Sequence, residues 1–200
     1  ANISTSATAF IAYYEDFIEQ VTVSGTFLPP PAAPTVFQFI NLGEVEVSGY
    51  EAKLDARWDS GFSLTVAAST ARGDQVNLGV KSPLPSIEPF KFVGGVRYDD
   101  PEGMFGGQAI MTYSGQKDSD RIPATLCAPS CFTPDGFTIL DLTAYWNITD
   151  DATLRVGVFN VFDEKYTWWG DVRGVASTSA VVDAYTQPGR NASASFVYRF

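Results

Sequence analysis

The chain has 200 residues, a formal net charge of −10 and no histidine. An acidic balance of this size lacks the basic footprint of a nucleic-acid binder, and the missing imidazole removes serine-triad hydrolysis and His-based proton transfer in their usual forms. No run approaches the roughly 18 apolar residues of a membrane-spanning helix, a test that a β-barrel escapes because alternate polar residues dilute its apolar face.

Residues 4–22 are expected to form a first strand, with Ala7, Ala9, Ile11 and Tyr13 alternating. The following GTFLPPPAAPTVF stretch reads as a loop, because proline cannot join the interior of a ladder. Its exposed apolar character, including Phe27 and Leu28, makes it a candidate contact for a partner. A second strand spans about 37–58. Tyr50, Ala52, Leu54, Ala56 and Trp58 share one face, and Glu51, Lys53, Asp55 and Arg57 the other. Four successive charges on one face would disrupt a soluble core. They suit a wet lumen, where they pair with neighbouring strands or with a plug.

After Asp59-Ser60-Gly61, the residues Phe62, Leu64, Val66 and Ala68 mark a third strand. A long loop over 75–89 leads to Phe90, Phe92, Gly94, Val96 and Tyr98, and the DDPEG turn reverses the chain into Phe105, Gly107, Ala109, Met111 and Tyr113. A long loop over about 116–135 carries the two cysteines, Cys127 and Cys131. Without histidine they make a poor metal site, and a small disulfide-closed loop in an oxidising compartment is expected. Residues 137–169 read as two long strands joined at Thr149-Asp150-Asp151. Leu140, Leu142, Ala144, Trp146 and Ile148 share the apolar face of the first, and Leu154, Val156 and Val158 that of the second. A loop over 170–188 precedes a last strand in which Ala192, Ala194, Phe196, Tyr198 and Phe200 alternate with Ser193, Ser195, Val197 and Arg199.

Period-two alternation over ten or more residues predicts an all-β antiparallel sheet of about eight strands with an oily side and a wet side. Short and long connections alternate strictly, as in transmembrane β-barrels with short periplasmic turns and long outer loops. Trp58, Phe62, Tyr98, Phe105 and Phe200 collect at the short-turn end, where an aromatic girdle belongs. The expected location is the bacterial outer membrane, with outer-membrane lipid as the first partner.

Four stretches carry a family resemblance. Asn41, Gly43, Gly49 and Glu51 match an N-x-G-x(5)-G-x-E pattern. Asn160, Phe162, Asp163 and Tyr166 fall in an N-[LV]-F-D-x-x-Y pattern, and Pro188, Gly189 and Arg190 form a P-G-R before the last strand. The end, with Phe196, Tyr198 and Phe200, is similar to an outer-membrane assembly signal. Together they resemble the C-terminal part of TonB-dependent receptors. That resemblance implies a barrel of about 22 strands around a plug, of which this chain would be roughly the last eight strands. The plug, the upstream strands and the segment that contacts TonB would lie before Ala1. The start lacks a signal peptide, so a processed terminus or a piece of a longer chain is expected.

Pro83 to Lys91, then Gly94, Gly95, Arg97 and Tyr98, look most like the haem and haemoglobin receptors, as does Tyr185-Thr186-Gln187-Pro188-Gly189-Arg190-Asn191. The chain departs from them in lacking their F-R-A-P and N-P-x-L signature and its His. The resemblance implies TonB-energised uptake of an extracellular iron source, with haem favoured over a ferric siderophore. Haem or a ferric chelate would be cargo, and the segment itself would hold no cofactor and no catalytic residue. Tyr166, Trp168, Trp169 and Tyr185 are candidates for facing the ligand, or for anchoring at the outer interface. Two other classes compete. A small adhesive or structural barrel predicts that these residues close on themselves, and an outer-membrane enzyme predicts turnover dependent on a lumen carboxylate. Of the paired carboxylates, Asp99/Asp100 and Asp150/Asp151 fall in expected turns, and Glu44/Glu46 on a strand end.

Overall fold

The computed structural model describes residues 1–24, 36–77, 79–124 and 126–200. Phe27 and Leu28 lie outside the described residues. The strands are β1 (Asn2–Ser24), β2 (Val36–Arg57), β3 (Phe62–Asn77), β4 (Val80–Pro83), β5 (Lys91–Asp99), β6 (Phe105–Ser114), β7 (Phe137–Thr149), β8 (Ala152–Phe159) and β9 (Asn191–Tyr198). Eight of them run in sequence order as one antiparallel meander, β1-β2-β3-β5-β6-β7-β8-β9, and β4 pairs with β3 inside the second long connection. Among the described residues β1 and β9 do not pair with each other, so the sheet is open. That argues against the small self-closed barrel.

One register row carries the logic of the fold. Ile3, Ala56, Leu64, Val96, Ala109, Leu142, Val158 and Ala192 are successive partners across all eight strands, and every one is apolar. The adjacent row is Asn2, Arg57, Ser63, Arg97, Gln108, Thr143, Gly157 and Ser193, with no apolar side chain in it. A slip of one residue at any pair would carry a whole strand's apolar set to the wet face. Large side chains of the apolar face stand exposed among the described residues. Ile11, Tyr50, Val96, Leu142, Trp146, Val156 and Phe196 are all exposed, a surface that water penalises and hydrocarbon covers.

Aromatic rings bracket this face. At the short-turn end Phe62 and Tyr98 lie 4.8 Å apart and Tyr98 and Phe105 5.9 Å apart, with Trp146 opposite Phe105. At the long-loop end Phe90 and Tyr113 are 6.1 Å apart. The eight residue steps from Phe105 to Tyr113 span about 27 Å along a tilted strand, the scale of a lipid-facing band. The short turns are tight for identifiable reasons. Gly61 (φ 92°) and Gly103 (φ 77°) occupy left-handed positions that favour glycine, and the Gly61 carbonyl accepts from the Asp99 amide at 3.0 Å.

On the polar face the charges pair along their own strands and take hydroxyl hydrogen bonds from others. Lys53 meets Asp55 at 2.8 Å, which also accepts from the Thr65 hydroxyl at 3.0 Å. Arg97 donates to both oxygens of Asp99 at 2.6 and 2.7 Å, and Tyr145 donates to the same carboxylate at 2.8 Å. Holding that position lays the Tyr145 ring over Gly106, where a Cβ would collide with it. Among the described residues Glu51 and Arg57 make no ion pair.

The expected strands stand, with corrections at their ends. The second strand of the 137–169 stretch stops at Phe159, because Asn160 (φ 50°) and Asp163 (φ 57°) turn the chain. The first strand runs longer than expected, to 23 residues, and the expected 75–89 loop takes in the end of β3 and the short strand β4. Two substitutions test the faces. Leu142→Arg, on the apolar row, is expected to destabilise the folded full-length protein in liposomes by about 2–4 kcal/mol, read from its denaturant midpoint. Thr143→Arg, one residue on, is expected to cost less than about 1 kcal/mol, since lumen substitutions stay hydrated.

Candidate functional site

The long connections fold back on one another at the outer end of the sheet. After β4, Leu84 is 2% exposed and packs with the fully buried Val45, with Phe17, Ile40, Val47 and Ile87 around them. The Ile87 side chain occupies the space a Cβ on Gly73 would need. With Leu84 and Ile87 turned down, the neighbouring carbonyls point to the other loops. Trp169 donates its indole N–H to the Pro85 carbonyl at 2.8 Å, and Lys117 donates to the Ile87 carbonyl at 2.5 Å.

A second small core lies between the β6–β7 and β8–β9 connections. Trp169 and Val172, on a short helix α1 (Trp169–Val172), are buried with Val175 against Ile122, Phe132, Val182 and Tyr185. Cys127 and Cys131 are joined in a disulfide, and the turn they close is stitched to the last loop. Phe132 N–H donates to the Val175 carbonyl and Ser177 N–H to the Ser130 carbonyl, each at 2.8 Å, while Cys131 bridges Ala176. Arg121 ties the same loop to β3 through the Gly73 carbonyl at 2.6 Å and Asp74 at 2.7 Å. Three connections thus form one packed cap.

Lys117 sits at their junction, 7% exposed and 5.6 Å from the Trp169 ring. Burial, and then the nearby Arg121 charge, push its pKa down to about 8, against the attraction of Glu88 and Asp118. Beside the cap lies an aromatic shelf. Phe137 is 4.4 Å from Tyr166 and 4.8 Å from Trp168, and the Lys91 ammonium stands 4.3 Å over the Trp168 ring. Lys91, Ser114 and Phe137 share one row of the polar face, so the shelf stands at the mouth of the wet side. Burial and then the Asp141 charge raise the Tyr166 phenol pKa.

Two motif stretches distant in sequence meet as a clasp at the base of the last loop. Asn160 is 3% exposed. Its amide N–H donates to Asp141 at 2.8 Å, and its side chain donates to the Glu164 and Pro188 carbonyls and accepts from the Glu164 amide at 2.9 Å. Asp163 accepts from the Arg190 amide at 2.7 Å, and Arg190 donates back to the Val161 carbonyl. A Cβ at position 189 would lie 2.8 Å from that Asp163 oxygen, which accounts for the glycine of P-G-R. Phe162 remains exposed.

The remaining sequence-selected residues scatter. Gly49 on β2 leaves room for the Phe10 ring and the Thr70 carbonyl, and Gly43 for the Val76 carbonyl. Asn41 pairs with Ile18 on β1, and Glu51 lines the polar face between Thr8 and Ser69. Phe196 and Tyr198 stand on the apolar face, with Phe200 beyond the ladder. Trp169 and Tyr185 belong to the inter-loop core, while Tyr166 and Trp168 form the shelf. Sequence reasoning passed over Lys117, Arg121, Val172 and Val175, whose loop segments show no periodicity, and met Leu84 only as part of the Pro83–Lys91 resemblance. Among the described residues no cluster of His, Cys, Asp or Glu could hold a metal.

Residues 1–161 match the family model described as TonB dependent receptor-like, beta-barrel. The chain belongs to that family. It is similar to transferrin-binding protein A of Neisseria meningitidis serogroup B, 30% identical over 179 residues that cover 80% of this chain and 19% of the relative. It is also similar to haemoglobin-binding protein A of Haemophilus influenzae, at 28% over 187 residues, 82% of this chain and 18% of that protein. The chain therefore spans about a fifth of the length of these curated relatives. Among solved structures, the copper transporter OprC superposes with a TM-score of 0.74 at 19% identity, over 99% of this chain and 30% of that one. The FrpB iron transporter of Neisseria meningitidis gives 0.69 at 17%, over 99% and 28%. This likeness shows the barrel fold. The TonB-dependent receptor barrel is an outer-membrane structure of Gram-negative bacteria, and the long connections are its outer loops.

Two predictions follow from the site. Below pH 8 Lys117 is charged whether the cap is folded or open, and its burial penalty is in full force. As pH rises from about 8 toward the ordinary lysine value of 10.5, the folded form gives up the proton first, and the cap is stabilised. The melting of the cap, followed by Trp169 fluorescence in the full-length protein, is expected to shift upward over that window in wild type and to lose this dependence in Lys117→Met. For the clasp, Asn160→Ala is expected to cost about 2–3 kcal/mol and Asp163→Asn less than about 1 kcal/mol, measured as protease susceptibility of the last loop.

Proposed function

We propose that this chain is the closing section of the barrel of an outer-membrane receptor that takes up iron from a protein carrier. Haem drawn from a haemoprotein is the favoured cargo. Uptake is energised through TonB, with the plug and the TonB-contacting segment supplied by an upstream part of the same protein. Relatives named for binding transferrin, lactoferrin and haemoglobin support a protein-borne source.

The observation that carries the haem reading is the shelf of Phe137, Tyr166 and Trp168 with Lys91 across it. The Trp168 ring meets Phe137 and Tyr166 edge to face, with Phe137 buried. The partly exposed Tyr166 and Trp168 give a macrocycle an apolar contact, and the Lys91 ammonium over the Trp168 ring complements its carboxylates. The shelf stands at the outer mouth of the polar face, on the route from the loops to the lumen. The packed cap beside it is already ordered before binding, which lowers the entropic cost of docking.

The test is growth of an iron-starved strain with and without the full-length gene, on haemoglobin, iron-loaded transferrin or a ferric siderophore. The expected result is gene-dependent growth on haemoglobin that falls several-fold in Trp168→Ala. Gene-dependent growth on the siderophore alone would overturn the proposal.

A further inference from the structure

Strands β1 and β2 extend beyond the strands that follow them in this chain. Tyr50 marks the outer edge of the lipid-facing band on β2, and the strand continues another 14 residues to Val36, about 46 Å of extended chain. Strand β3 accompanies it for the first six of these residues, and the last eight, about 26 Å, stand beyond it. Pairing of β2 with β3 ends at Glu44 opposite Val76, and β6 stops at Ser114. From Val36 to Gly43 the strand pairs, among the described residues, with β1 alone, which leaves its other edge without a ladder partner there.

A two-stranded ribbon is marginally stable in water by itself, and this one has an unfavourable surface. Phe39, on β2 between β1 and β3, is 70% exposed, above the level that lipid can cover. Glu15 stands directly opposite Glu44, with Glu46 next on the same face. Like charges placed this way destabilise a sheet. Among the described residues none of the three has an ion-pair partner, and no lysine or arginine precedes Lys53.

The exposed Phe39 ring, an edge unpaired among the described residues and uncompensated negative charge occur together on the outer part of β1 and β2. We infer that the β1–β2 ribbon is a docking arm for the protein carrier, which it meets through a positively charged surface beside an apolar one. The inference rests on the proposed uptake from a protein carrier. An acidic arm is unsuited to anionic lipid headgroups or nucleic acid, which leaves a basic protein surface as the complementary occupant.

The experiment uses the full-length receptor displayed on cells, with labelled haemoglobin, iron-loaded transferrin and iron-loaded lactoferrin as probes. Phe39→Cys is expected to react with a membrane-impermeant maleimide in the free receptor and to be protected by the carrier that binds. Glu15→Gln/Glu44→Gln/Glu46→Gln is expected to weaken that carrier roughly tenfold and to flatten the salt dependence of its association, with Glu102→Gln in the inner turn as an unaffected control. A Phe39→Cys thiol that never reacts would mean that the rest of the receptor covers the ribbon. One that reacts equally with and without carrier would show that nothing docks there. Either result overturns the docking arm, as does the failure of wild type to bind any probe. Growth on free haem then decides separately whether the uptake proposal survives.

Discussion

Inside a bilayer there is no water to receive an unpaired amide or carbonyl, so a chain crosses only where its backbone groups bond one another. That constraint governs the whole of this structure. It requires long, regular ladders between adjacent strands, and it gives the two faces of the sheet different solvents. The row from Ile3 to Ala192 and its neighbour from Asn2 to Ser193 are the direct imprint. One is uniformly apolar, the other polar or glycine. Because side chains alternate with a period of two, each strand's register is held by the penalty for exchanging those solvents.

With no internal core between the strands, cohesion away from the ladders depends on the loops. Leu84 and Val45 form one small core, and Trp169, Val172 and Val175 another. They are linked by the bonds from Trp169 and Lys117 to the Pro85 and Ile87 carbonyls. The Asn160–Asp163 turn and the Pro188–Arg190 segment fasten the last loop at its base. Motif residues here build the platform on which a ligand could be received, while the aromatic shelf and the projecting ribbon supply surfaces with unsatisfied chemistry. Lys117 shows the tension in such a cap. It joins three connections, yet its charge is poorly solvated.

The strand pattern was legible because alternation is local: Leu140 to Ile148 and Tyr50 to Trp58 each declare their faces without any partner. The short turns were legible through Asp and Gly. The cap was not, since it depends on which backbone carbonyls become available after Leu84 and Ile87 turn inward, and that is decided by contacts tens of residues away. Trp169 illustrates the gap. As one of two adjacent tryptophans it suggested an interface or ligand contact, whereas its indole is enclosed between loops. Asn160 and Pro188 were recognisable as family motifs, but their partnership across the last loop required the fold. The reach of β2 to Val36 was legible almost to the residue, whereas β4 was not, because four residues inside a loop are too few to show alternation.

The central claim is that one face of this sheet meets lipid and the other water. It is tested most directly by placing a spin label at each position from Thr138 to Ile148 in the full-length protein in liposomes. Accessibility to oxygen and to a water-soluble relaxant is then measured along β7. The account predicts a period of two, with the even positions reached from the lipid and the odd positions from water. Loss of periodicity, or water contact at Leu140, Leu142 and Ala144, would contradict it.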